Sequence, residues 1–249
     1  MASISSNPIN AADSQVTVHD LAKMIDHSLL HPTMTDAELI DGCKLAVQYD
    51  VAAICIKPYA VPMARELLAG STVKLCTVVG FPHGNSHVEI KLRETDLAIR
   101  EGATEIDVVV NVGKVLSRDW TYVSDEIRQL NEYIVQQGAI LKLIFENDFL
   151  PDDSFKIQLC QLCNRHRVAF AKTSTGYGFV KRENGMYSYN GATEHDLKLM
   201  RRECEPPVQI KAAGGVRTLD DLLRVRSWGV TRVGATATSA MLTEAARRL

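Results

Sequence analysis

No apolar run in this chain approaches the roughly 18 residues that a membrane span needs. Nor is there a basic excess: 28 Lys and Arg stand against 30 Asp and Glu, a formal net charge of -2. Neither nucleic acid nor an anionic membrane would find an electrostatic footprint here. Linkers, low-complexity segments and charge runs are absent, and so is a secretory signal. Cysteine is sparse, at Cys43, Cys55, Cys76, Cys160, Cys163 and Cys204. Cys160 and Cys163 are spaced like half a zinc site, but no second pair completes it. They read as small apolar residues on one side of a helix. The thiols are expected to be reduced and the protein cytoplasmic.

What is present is enough apolar sequence for one large core, 46% of 249 residues. Residues 1–16, rich in Ser, Asn and Ala, are expected to form a flexible N-terminal tail. Residues 17–249 read as one domain. Thr17 or Asp20 can cap a short first helix. About eight short apolar strands follow, from Ile25–Leu30 to Val230–Val233, most of them followed by a helix. Thr35 and Glu38 have capping-box spacing, Pro62 suits a first helical turn, and Gly102 suits a helix end. Residues 181–191 are polar and read as an extended loop. Alternation at this period means parallel strands with right-handed crossovers. The predicted fold is α/β, a single (β/α)8 TIM barrel with a short N-terminal helix. A doubly wound open sheet would want a dinucleotide fingerprint after the first strand, and none is there.

Val168 to Gly178, Val-Ala-Phe-Ala-Lys-Thr-Ser-Thr-Gly-Tyr-Gly, is the most informative stretch. A short apolar strand ends in Lys172, and a strand buried on both faces normally excludes an ammonium. Hydroxyls and flexible glycine backbone follow at once, which suits an anion such as phosphate. A lysine snorkelling to water before an ordinary turn would look the same. Four more polar residues interrupt apolar strands: Asp26, Asp107, Lys142 and Lys211. In a barrel all five would point into one lumen. Burying that much charge without a use is costly, so the cluster reads as a site. Neighbouring buried lysines disfavour each other's charged form, which leaves one able to act as a free amine. An amine attacks a carbonyl, and the resulting iminium is an electron sink for carbon–carbon chemistry. Glycine-rich strand ends at Gly214-Gly215 and Gly234 fall where such barrels often hold a phosphate.

Phe170-Ala171-Lys172-Thr173-Ser174-Thr175-Gly176 together with Ile210-Lys211-Ala212-Ala213-Gly214-Gly215-Val216-Arg217 resembles the deoxyribose-phosphate aldolase family. Glu105-Ile106-Asp107-Val108-Val109 and Ile25-Asp26-His27-Ser28-Leu29-Leu30 extend the resemblance, which runs from about Lys23 to Met241. It implies a class I aldolase cleaving 2-deoxy-D-ribose 5-phosphate to acetaldehyde and D-glyceraldehyde 3-phosphate. It implies no cofactor and no metal, phosphosugar and aldehyde as the partners, and it leaves a homodimer open. Lys172 would be the Schiff-base nucleophile, Lys211 its perturbing partner and Asp107 the proton carrier. Thr173, Gly176, Gly214, Gly215, Arg217, Gly234 and Thr236 would bind substrate, with Asp26 and Lys142 ordering the hydroxyls. Tyr177 stands where some members carry a basic residue. Ala237 lacks a hydroxyl some members have, which leaves Thr236 as the side-chain donor. Two rivals are another Schiff-base phosphosugar lyase and a phosphosugar-binding barrel without turnover. A metal-dependent aldolase is disfavoured because His83 and His87 lack partners at strand ends.

Overall fold

Eight parallel strands close into a barrel in the computed structural model, which describes residues 16–181 and 183–249. The strand order is β1 (Ile25–Leu29), β10 (Arg232–Ala235), β9 (Gln209–Ala213), β6 (Phe170–Lys172), β5 (Ile140–Ile144), β4 (Glu105–Val109), β3 (Lys74–Val79) and β2 (Ala53–Ile56), which returns to β1. The expected TIM barrel is therefore what forms. The expected N-terminal tail lies outside the described residues, apart from Val16, which packs into the core.

The helices start where local chemistry tells them to. Thr17 and Asp20 form a capping box for α1 (Val18–Ala22), and Thr35 and Glu38 form one for α2 (Asp36–Gln48). Pro62 lies in the first turn of α3 (Val61–Leu67). His87 caps α4 (Val88–Glu101), whose end Gly102 takes a φ of 120°. After β4 come α5 (Val112–Leu116), which the sequence pattern had not distinguished, and α6 (Trp120–Gln136). Next is α7 (Asp153–His166), holding Cys160 and Cys163 buried on one side. Thr193 caps α8 (Glu194–Glu203), Thr218 and Asp221 box α9 (Leu219–Ser227), and α10 (Thr238–Arg248) closes the ring.

Two expectations need correction. Residues 181–191 are not simply extended. A small antiparallel hairpin pairs β7 (Val180–Lys181) with β8 (Tyr187–Ser188). Its turn is local chemistry: Gly185 takes a φ of 78° and Asn184 Oδ1 accepts the Met186 N–H at 3.0 Å. The last strand starts at Arg232 rather than Val230, because the Val230 N–H still bonds Val225 O at the end of α9.

Apolar side chains fill two spaces. The larger core lies between strands and helices. A smaller one, Leu30, Ala53, Cys55, Cys76 and Val78, lies apart from it with Phe81 and Tyr177 packed on it. With a side-chain period of two, Glu105 and Asp107 share the inward face of β4. The pairing Asp107 with Lys142, and Lys172 with Lys211, sets charged residues on adjacent strands side by side.

Candidate active site

All five polar residues that interrupt strands meet in the lumen. Asp107 is their hub. Its Oδ2 accepts from Lys172 Nζ and Lys211 Nζ, each at 2.7 Å, and its Oδ1 accepts from Lys142 Nζ at 2.9 Å. The Cys76 thiol reaches the same Oδ1 at 3.1 Å. Asp26 Oδ2 takes Lys211 at 2.5 Å, and its Oδ1 takes Arg232 at 2.7 Å. Glu105 holds Lys142 at 2.7 Å and Arg232 at 2.9 Å. Four cations thus share three carboxylates in one connected network. One neutral lysine would balance it at three against three.

The electrostatics follow from that sharing. Burial opposes charge on Asp107, but Lys142, Lys172 and Lys211 outweigh it and hold its carboxyl well below the usual range. Asp26 is likewise held low, against burial, by Lys142, Lys211 and Arg232. Burial also works against the ammoniums of Lys142 and Lys211, yet the carboxylates around each push both upward. In the resting site Lys211 and Lys142 are firmly cationic.

A cavity of about 490 Å³ opens above this network. Lys172 and Lys211 reach it, whereas Asp107 sits beneath them. Of the expected substrate contacts, Gly176, Gly214, Gly215 and Arg217 line it, as do Gly234 and Thr236. Gly176, Gly214 and Gly215 have φ of 86°, 85° and 94°, a region that lets consecutive N–H groups converge on an anion. Gly214 also lies against Gly191, whose missing side chain lets two loops cross; a Cβ on Gly214 would lie 3.0 Å from Gly191 Cα.

Three expected substrate contacts do not line the cavity. Thr173 Oγ1 accepts the Ala213 N–H at 3.1 Å and donates to Ala213 O at 3.2 Å, bracing β6 to β9. Lys142 and Asp26 are fully buried within the charge network. Several lining residues were not singled out beforehand: Ser28, His31, Cys55 and Tyr189. Ser28 lies two residues beyond Asp26 on one strand, so alternation could have found it. Glu105 and Arg232, the first residues of β4 and β10, were not among the polar residues singled out as interrupting strands. Tyr177 packs edge-on against Phe81, with ring centroids 5.6 Å apart, and Ala237 caps α10 without a side-chain bond.

Two clusters inside the barrel have metal-like composition, Cys55 with Cys76 and Asp107, and Asp26 with Cys76 and Glu105. Ammonium and guanidinium groups already occupy those carboxylates, so a metal ion would have to displace them. A third cluster, Asp153, His195 and Asp196, has Lys156 Nζ 2.5 Å from Asp196. His87 Nδ1 is used in capping α4, accepting from the Glu89 N–H at 3.3 Å. No helix among the described residues is long and apolar enough to cross a membrane.

The chain is similar to known proteins over most of its length. The chain is 47% identical to a deoxyribose-phosphate aldolase of Rhodopirellula baltica, over 93% of this chain and 91% of that protein. It is 40% identical to one of Clostridium perfringens, covering 89% and 93%. The tetrameric deoxyribose phosphate aldolase structure from Aeropyrum pernix superposes with a TM-score of 0.80 at 27% identity, covering 92% of each chain. Residues 21–238 match the sequence model of the DeoC/LacD family aldolases, and with that coverage the chain belongs to this family.

Proposed function

We propose that the protein is a class I aldolase that reversibly cleaves 2-deoxy-D-ribose 5-phosphate to acetaldehyde and D-glyceraldehyde 3-phosphate. The observation that carries this reading is the placement of Lys172 and Lys211 on one oxygen of Asp107, both 2.7 Å away, at the floor of a glycine-lined cavity. The names of the relatives from Rhodopirellula baltica and Clostridium perfringens support the substrate.

In this reading the Lys172 amine attacks the C1 aldehyde, and loss of water gives an iminium. A base removes the C3 hydroxyl proton, the C2–C3 bond breaks, and its electron pair flows to the iminium nitrogen. Glyceraldehyde 3-phosphate leaves. The enamine is protonated at C2, and water then releases acetaldehyde and restores the amine. Asp107 carries the protons. Three cations hold its carboxyl low while the iminium is present; as cleavage turns the iminium into a neutral enamine one of them is lost, and the rise in basicity keeps the proton taken from the C3 hydroxyl on Asp107 until it passes to C2. Lys211 stays protonated between Asp107 and Asp26 and stabilises negative charge that develops on oxygen. The phosphate rests on Gly176, Gly214, Gly215 and Gly234 with Arg217 and Thr236.

Residues 17–249 act as one catalytic domain in this reading, in the cytoplasm, and the chain assembles with itself as a homodimer. Light scattering of the purified protein checks the assembly. The activity is tested by incubation with 2-deoxyribose 5-phosphate in excess EDTA. Equal molar yields of acetaldehyde and triose phosphate are expected. Binding without aldehyde release, or activity that EDTA removes and zinc restores, would contradict the proposal.

A further inference from the structure

Glu146 touches no lumen charge, and no cation pairs with it among the described residues, yet it is 1% exposed. It follows β5 by two residues and takes the left-handed conformation, φ 58° and ψ 62°. A non-glycine residue holds that shape where its surroundings demand it. The demand is visible on one side. Glu146 Oε1 accepts the Thr175 N–H at 3.1 Å, and Oε2 accepts the Thr175 hydroxyl. Thr175 Oγ1 in turn accepts the Tyr177 N–H at 2.9 Å. Gly178 completes the arrangement, because a Cβ there would lie 2.6 Å from Glu146 Cδ.

One carboxylate therefore organises four consecutive residues. Thr175, Gly176 and Tyr177 line the cavity, while Glu146 does not. The backbone on either side of Glu146 is sewn to the same segment: Phe145 N–H donates to Lys172 O at 2.9 Å and Asn147 N–H to Thr173 O at 3.0 Å. Burial pushes the Glu146 carboxyl up, and the Thr175 hydrogen bonds and the Lys172 charge act in the opposite direction. Such a buried acceptor takes up the N–H groups of Thr175 and, through the hydroxyl, Tyr177. Gly176 stands between them with a φ of 86°, facing the cavity.

We propose that Glu146 is a positioning residue for the phosphate end of the site: it shapes the Thr175–Gly178 turn so that Gly176 meets the substrate phosphate, without touching substrate itself. The proposal rests on the aldolase reading above. A residue that only braced the barrel would weaken all substrates alike. A positioning residue for phosphate changes the preference for phosphorylated substrate.

The test compares kcat and KM for 2-deoxyribose 5-phosphate and 2-deoxyribose, with inorganic phosphate as a competitive probe. The variants are Glu146→Ala, Glu146→Gln and Thr175→Val. In Glu146→Ala the ratio of the two kcat/KM values should fall about tenfold, mostly through KM of the phosphorylated substrate. Inhibition by phosphate should weaken by a similar factor. Glu146→Gln keeps one acceptor oxygen and should recover part of the preference, and Thr175→Val should lose it like the alanine variant. If Glu146→Ala does not fold, Glu146→Gln and Thr175→Val carry the test, and unchanged phosphate inhibition in both would overturn the proposal. So would an equal loss on both substrates, or a fall in kcat at constant KM. A wild-type enzyme that releases no acetaldehyde, or does not distinguish the two sugars, would instead overturn the aldolase reading, before any variant is made.

Discussion

Two of the buried charge clusters among the described residues differ in one respect. Between α4 and α6, Lys91 Nζ meets Glu126 at 2.8 Å and Val109 O at 2.7 Å, and Glu126 accepts the Asn111 N–H at 2.9 Å. Every partner there is private, and burial still pulls the Lys91 ammonium down against its one close carboxylate. In the lumen, one carboxylate serves three ammoniums, and burial loses to the carboxylates at Lys142 and Lys211. Lys91 does not line the lumen cavity, whereas Lys172 and Lys211 do. Burial of charge is thus a poor marker of a site by itself. Unequal sharing with access to a cavity is the better one, because only a shared partner can be redistributed when substrate enters.

The sharpest break of that comparison is at its hub. Asp107→Asn keeps the shape but removes the shared charge, and kcat should fall about a thousandfold, within the range for a proton-transfer residue. Steady-state kinetics on protein whose fold is verified by circular dichroism checks this. A loss below about tenfold would place the proton carrier elsewhere. At the private pair, Lys91→Leu leaves Glu126 buried without its partner and should cost about 3–5 kcal/mol of stability, with kcat of the folded fraction retained. Denaturant melts should show much of that loss recovered in Lys91→Leu/Glu126→Leu. A kcat collapse would erase the distinction between the two regions.

His27 sharpens the comparison from a third position, a buried group with no charged partner. It is 6% exposed, its Nδ1 lies 2.8 Å from Thr238 Oγ1, and burial lowers its pKa from 6.5 to about 4. Above pH 6.5 the ring is neutral in both folded and unfolded chains and contributes nothing. As pH falls the unfolded chain takes the proton first, so stability is lost from pH 6.5 down to about 4. The total is at most about 3 kcal/mol. His27→Gln should flatten that part of the stability curve, and identical curves would show that His27 has the same pKa in the folded and unfolded chains.

Much of the barrel was legible because local signals agreed. The capping box at Thr35 and the apolar strand Ala53–Ile56 need no tertiary information. The lysines stood out because apolar strands enclosed them. Depth did not stand out. Alternation says that Lys142 faces the lumen, but β5 pairs Lys142 with Phe170 and Ile144 with Lys172, so Lys142 lies one layer deeper than Lys172. That is why Lys142 and Asp26 proved to be supports beneath the cavity. Lys91 was illegible for the opposite reason: α4 turns Ile90 and Leu97 outward and buries Lys91 and Thr95, inverting the usual pattern because Glu126 waits across the interface. Glu146 gave no signal, since a left-handed conformation at a non-glycine residue leaves no trace in sequence.

The central claim is that Lys172 forms the covalent bond while Lys211 stays protonated beside it. Both lie 2.7 Å from the same Asp107 oxygen, so static distances do not separate them. Among the described residues Lys211 has a second carboxylate in Asp26, and Lys172 has none beyond Asp107. The decisive measurement is borohydride trapping with 2-deoxyribose 5-phosphate across pH, followed by peptide mapping, in the wild type, Lys172→Leu and Lys211→Leu. The adduct should sit on Lys172 and vanish in Lys172→Leu. In Lys211→Leu it should still form on Lys172, slowly at neutral pH and faster as pH rises, because the cation that disfavours a second charge is gone. An adduct on Lys211 in the wild type, or trapping at the wild-type rate in Lys172→Leu, would contradict the assignment.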